Sequence, residues 1–142
     1  MQRVSRAGVS TGGVAYSAIG RGLLVLLGVA RDDGLPDAEY ISGKLARLRI
    51  FEDEDGLMNR SVQEVGGEIL VVSQFTLLGD ARKGNRPGFG EAARPELAEK
   101  LYLEVVAGLR LAGIDVETGK FGAMMEVELV NDGPVTIILE SR

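Results

Sequence analysis

The sequence predicts an α/β fold, a single domain over residues 1–142 in which a mixed, barrel-like β-sheet carries two α-helices in the order βββ-α-β-α-βββ. Short β-rich runs punctuated by glycines fill the first 30 residues, two later stretches repeat apolar residues at helical steps, and EILVVSQF at 68–75 is a nearly unbroken β-rich run. No linker, repeat or low-complexity segment interrupts the chain, so one domain is expected.

Arg3–Val9, Val14–Ile19 and Leu23–Ala30, separated by Gly12-Gly13 and Gly20-Arg21-Gly22, read as a three-stranded meander. From Pro36, Ala38, Ile41, Leu45 and Leu48 recur at steps of three and four, one stripe on a helix of about four turns. EDEDG at 52–56 lacks the ligand spacing and distal Glu of a calcium loop and reads as a solvated turn. Glu68–Phe75 has the unbroken β-rich character of a central strand buried on both faces. A polar, glycine-bearing loop follows, GDARKGNRPGFGEAAR at 79–94. Pro95 opens a second helix with apolar positions at Leu97, Leu101, Val105, Leu109 and Leu111, which Gly113 ends. Strands near Ile114–Thr118, Met124–Val130 and Val135–Glu140 complete the series, the last two read as a hairpin turning at Asn131-Asp132-Gly133.

A chain of 142 residues, 45% hydrophobic and 26% charged, is long enough to bury a real core. Its longest apolar stretch, Leu23 to Ala30, is too short to span a bilayer, and no apolar signal region follows Met1-Gln2-Arg3-Val4, so a cytoplasmic protein without membrane contact is expected. With no Cys, thiolate nucleophiles and Cys-based zinc sites are excluded; with no His, imidazole bases, Ser-His-Asp triads and His-ligated metals go too. A base must therefore be a carboxylate, Lys or Tyr, or come from the substrate. No metal-ligand cluster and no cofactor motif stand out, so neither is expected. The net charge of −5 argues against a nonspecific grip on nucleic acid, and DNA is not an expected partner.

Three places could carry chemistry. Ser73 and Thr76 stand at the end of the buried strand, where α/β folds commonly place sites; hydroxyls there also serve simply as caps. Without a His to activate them, exposed backbone N–H groups at the same turn are the alternative tool, as an oxyanion hole. Arg82, Lys83 and Arg86 make the 79–94 loop locally basic, and its glycines let backbone N–H groups approach an anion. Gly133-Pro134 is explicable as the start of an edge strand, yet an X-Pro bond is cis in about 5–6% of folded cases and a cis bond usually serves a purpose. Residue types alone leave both readings open.

In order and spacing, LLVLLGV (23–29), LRIFEDEDGLMN (48–59), GGEILVVSQFTL (66–77), KGNRPGF (83–89), PELAEKLY (95–102), VETGKFGA (116–123) and VELVNDGPVT (127–136) resemble the D-aminoacyl-tRNA deacylases from end to end. The paired Ser-Gln-Phe-Thr and Gly-Pro-Val-Thr motifs are that family's signature, intact here at 73–76 and 133–136. The resemblance implies a homodimer that hydrolyses the ester joining a D-amino acid to tRNA. Ser73, Gln74, Phe75 and Thr76 would form the catalytic strand end, and Gly133, Pro134, Val135 and Thr136 of the other subunit a backbone filter for chirality, with a cis Gly133-Pro134 bond. Arg3 matches the family's arginine that braces this loop. Glycyl-tRNA is the implied leak, since glycine has no side chain to reject, and the terminal ribose 2′-hydroxyl supplies the group the protein lacks. Aminoacylated tRNA is then the partner, with Arg82, Lys83 and Arg86 as candidate contacts. Met124 and Gly88 depart from the commoner acidic residue and Ser. Two rivals compete: a Ser/Thr esterase for small molecules, with Lys83 as its base, and a noncatalytic RNA-binding domain, for which three Tyr and four Phe offer little stacking surface.

Overall fold

A computed structural model describes the whole chain, Met1–Arg142. The elements run β1 (Gln2–Thr11), β2 (Val14–Ile19), β3 (Gly22–Leu27), α1 (Leu35–Arg47), β4 (Phe51–Glu52), β5 (Met58–Arg60), β6 (Glu68–Ser73), a 3₁₀ turn (Phe75–Leu78), α2 (Pro95–Leu111), β7 (Asp115–Thr118) and β8 (Glu126–Thr136). β1 is antiparallel to β2 through its C-terminal half, to β3 through its N-terminal residues, and to β8 along nearly its full length. β3, β6 and β7 then continue the sheet in parallel. The result is a nearly closed, barrel-like mixed sheet with two helices, the α/β class expected.

β3 and β6 are buried on both faces, and the period-two alternation of a strand sorts their side chains into two cores. Leu23, Val25, Leu27, Ile69 and Val71 point to the helices, among Leu45, Phe51, Leu101, Tyr102, Val105 and Leu109. Leu24, Leu70 and Val72 point the other way, into the sheet's interior with Val4, Ala7, Val9 and Ile19. The parallel pairing starts at Gly22, where only glycine fits: a Cβ would lie 1.8 Å from the backbone oxygen of Glu68.

Asp37 accepts from the Gly34 N–H at 2.8 Å and closes the first turn of α1, and this bond, with help from Ser141, holds its carboxyl below the usual carboxylate range. At the end of α2, the amides of Gly113 (φ +87°) and Ile114 turn back to Arg110 and Leu109. Gly108 lets the helices cross closely; a Cβ there would lie 2.7 Å from Ser42 Oγ.

The element order departs from expectation in two places. The segment around EDEDG is a small hairpin of its own, β4 with β5, in which Asp53 accepts from the amides of Asp55 and Leu57. The expected final hairpin is instead one strand, β8, continuous through Asn131–Thr136 because β1 pairs with it on both sides of that segment. Smaller shifts follow: β3 stops at Leu27, β6 stops at Ser73, and Leu48 caps α1 from outside it. Leu111, counted as a core position, is 90% exposed at the end of α2. No helix is long and apolar enough to cross a membrane.

Candidate functional site

The first motif stands where β6 runs out. Ser73 pairs with Leu27, and the Gln74 amide donates to the Leu27 carbonyl at 2.8 Å, the last bond of the ladder. Beneath it the Tyr102 hydroxyl donates to the Val71 carbonyl at 2.9 Å, and burial pushes its pKa up, keeping it a neutral donor. The chain then turns through Phe75–Leu78, and the N–H groups of Phe75 and Thr76, first in that turn, have no partner within it. Gln74 Nε2 donates to Thr76 Oγ1, which leaves the hydroxyl proton of Thr76 free to be given elsewhere. The Phe75 ring is 55% exposed and meets Phe89 edge-on, centroids 5.1 Å apart.

Phe89 thereby ties the glycine-bearing loop to this turn, a pairing that sequence reasoning missed because no local signal joins two aromatics 14 positions apart. Asp80 and Gly88 exchange backbone hydrogen bonds at 2.8 Å and close the loop at its base. Of its three basic residues, Arg82 is bound to Asp80, Nε to Oδ1 at 2.8 Å and Nη2 to Oδ2 at 2.7 Å. That pairing holds the Asp80 carboxyl below its ordinary range and raises the guanidinium. Lys83 and Arg86 stand exposed at the tip.

The second motif is a bulge in β8. Val4 pairs with Asn131 and Gln2 with Thr136, so two steps along β1 face five along β8, and three extra residues loop out. The Gly133-Pro134 bond in that loop is cis, and Gly133 has φ +142°. Arg3, only 6% exposed, lies opposite. Its Nε donates to the Asp132 carbonyl at 3.0 Å and its Nη1 to the Ile50 carbonyl at 2.7 Å, with the Asp132 carboxylate 3.6 Å from Nε. From the other end, Asn131 Oδ1 accepts the Val135 N–H at 2.7 Å. Asn131 and Asp132 read in sequence only as turn formers; the Asx habit of bonding nearby backbone was the available signal.

A family model described as D-Tyr-tRNA(Tyr) deacylase matches residues 1–140. This chain belongs to that family. Among curated relatives, the D-aminoacyl-tRNA deacylase of Anaeromyxobacter dehalogenans (strain 2CP-C) is 67% identical over 142 residues, covering all of this chain and 95% of the relative. The D-aminoacyl-tRNA deacylase of Symbiobacterium thermophilum is 60% identical and covered to 94%. A solved structure of a c-Myc DNA Unwinding Element Binding Protein superposes with TM-score 0.92 at 47% identity, over 99% of this chain and 96% of that one. A second, described as a probable eukaryotic D-amino acid tRNA deacylase, shares the fold with TM-score 0.79 at 21% identity, over 94% and 92% of the two chains.

Within this member of the deacylase family the two motifs do not join. Between β8 and β6 lie β1 and β3, so the motifs stand three strand spacings apart, about 14 Å across the sheet. Arg3 pairs with Leu23 but Ser73 with Leu27, a further offset of about 13 Å along the strands. No group of His, Cys, Asp or Glu side chains is arranged to hold a metal ion.

Proposed function

We propose that the chain hydrolyses the ester of D-aminoacyl-tRNA as a homodimer in the cytoplasm. Water adds to the ester carbonyl, the bond to the tRNA 3′-oxygen breaks, and a free D-amino acid and tRNA leave. The observation that carries this reading is the pair of intact motifs, each exposed at a strand interruption, in a chain that matches the deacylase family from residue 1 to 140. Their separation within one chain supports a site shared between two copies, with Gly133 and Pro134 of one facing Ser73–Thr76 of the other.

Catalysis then consists of positioning and of stabilising the developing oxyanion. The unpartnered amides of Phe75 and Thr76 suit that task, and one such donor is worth about 3 kcal/mol in acyl-transfer enzymes. Thr76 orients water or the ester and does not attack, because its hydroxyl oxygen is bonded to Gln74 Nε2 and the chain has no His to activate it. The neighbouring ribose 2′-hydroxyl supplies that assistance. Backbone atoms of Gly133, Pro134, Val135 and Thr136 judge the substrate at its α-carbon and ignore what lies beyond, so many D-residues are accepted and glycyl-tRNA is hydrolysed too. Lys83 and Arg86 contact phosphates, and Arg82, already paired with Asp80, contributes less.

Ester loss from D-Tyr-tRNA, L-Tyr-tRNA and Gly-tRNA with purified protein tests the reading: rapid loss is expected for the first and third only. Equal rates for the two enantiomers overturn the filter, and tRNA binding without hydrolysis overturns the enzyme. An acyl-enzyme trapped on the intact protein but absent in Thr76→Ala would refute the orienting role of Thr76. Light scattering tests the shared site, since a fully active monomer contradicts it. Replacing Lys83 and Arg86 with Ala is expected to raise KM and lower the salt slope of binding by about two, one for each phosphate no longer neutralised.

A further inference from the structure

We infer that Asn131 is a positioning residue for chiral selection, and that its side-chain amide, rather than its size, is what the site requires. This rests on the proposed role of Gly133 and Pro134 as the filter. The loop that carries them is held from two ends. Arg3 grips the Asp132 carbonyl just before the pair, at 3.0 Å. Asn131 grips Val135 just after it, with Oδ1 accepting the Val135 N–H at 2.7 Å and Nδ2 lying 3.2 Å from the Val135 carbonyl oxygen. One side chain thus takes both backbone groups of the residue that follows Pro134.

The remaining partners decide the chemistry. Nδ2 also lies 3.1 Å from Gln2 Oε1 and 3.1 Å from Thr136 Oγ1. Three acceptors therefore compete for two amide protons, and the Thr136 hydroxyl, which can turn and donate elsewhere, is the one able to yield. Exchanging O and N in the amide would set its NH₂ against the Val135 N–H and its oxygen against the Val135 carbonyl and Gln2 Oε1, so the network admits one orientation. A carboxylate in the same place would keep the bond to the Val135 N–H but turn an acceptor toward two acceptors, beside the charge of Asp132. Aspartate is nearly the same shape as asparagine, so it changes the donor and the charge while leaving the size alone.

The experiment measures kcat and KM of Asn131→Asp for D-Tyr-tRNA and L-Tyr-tRNA at pH 7 and again near pH 5, with thermal unfolding as a check on folding. Expected is a folded protein whose D-over-L ratio of kcat/KM falls about tenfold or more, the scale of one charge-assisted hydrogen bond turned unfavourable. The Val135 carbonyl, Gln2 Oε1 and the Asp132 carboxylate favour protonation of the new carboxyl, against the Arg3 guanidinium beside Asp132, and protonation restores one donor, so the ratio recovers in part at the lower pH. Asn131→Leu, which keeps the size and removes donor and acceptor together, loses at least as much without recovery, and it carries the test if the aspartate variant folds poorly. Gln2→Ala removes one peripheral acceptor and leaves the ratio within about twofold. An unchanged ratio in folded Asn131→Asp overturns the inference while the filter stands if the wild type still discriminates. A wild type that does not discriminate overturns the filter itself.

Discussion

Ser73–Thr76 ends one strand and Asn131–Thr136 interrupts another, and the chain supports them by different means. β6 delivers the first from inside the molecule: Ile69, Leu70, Val71 and Val72 are at most 1% exposed, and paired strands flank it on both edges. The second projects from β8, whose outward residues are exposed in alternation, and its loop depends on Arg3 and Asn131. A segment held by burial is supported by many small contacts, each replaceable in part by its neighbours. A segment held by a few hydrogen bonds fails at single residues, because the loss of one donor strands its acceptors. Robust placement therefore belongs to the candidate catalytic end, and sensitivity to single polar changes to the candidate filter.

Substitutions can break that contrast. The largest effect is expected from Gly22→Ala in the scaffold, where the new Cβ would meet the Glu68 backbone oxygen at 1.8 Å and neither strand can give way without losing the β3–β6 ladder. A loss of about 5 kcal/mol or outright failure to fold is expected in urea unfolding. Next comes a matched pair, Leu70→Ala and Arg3→Ala, each expected to cost about 3 kcal/mol, the first through a cavity and the second through the orphaned carbonyls of Ile50 and Asp132. They should part in function: the folded fraction of Leu70→Ala keeps its D-over-L ratio, while Arg3→Ala loses it. The opposite assignment would destroy the contrast. The smallest change is Phe89→Ala, which removes the edge-on packing against Phe75 and should cost about 1 kcal/mol, with a modest rise in KM for aminoacyl-tRNA. An unaltered KM would show that the loop's hold on the Phe75 turn plays no part in binding.

Much of this molecule is legible in one dimension. The doubly buried character of residues 69–72 follows from an unbroken run of β-branched and aliphatic residues, which no half-exposed strand needs. Both helices follow from apolar steps of three and four, with Pro36 and Pro95 at their starts. The two motifs are visible as residues, and the absence of His and Cys bounds the chemistry without any coordinate.

Other features were decided by tertiary structure. Asn131-Asp132-Gly133-Pro134 carries the same local signal whether the chain reverses in a hairpin or bulges and runs on, and only a β1 long enough to pair with both flanks selects the bulge. The meeting of Arg3 with Ile50 and Asp132 likewise depends on which strands lie side by side, since 47 residues separate the first pair and 129 the second. Sequence determined which segments bury apolar surface, because that pattern is local and repeats with the period of the backbone. Register and the pairing of distant polar groups were left to the folded sheet, where each donor's partner is set by geometry that no neighbouring residue encodes.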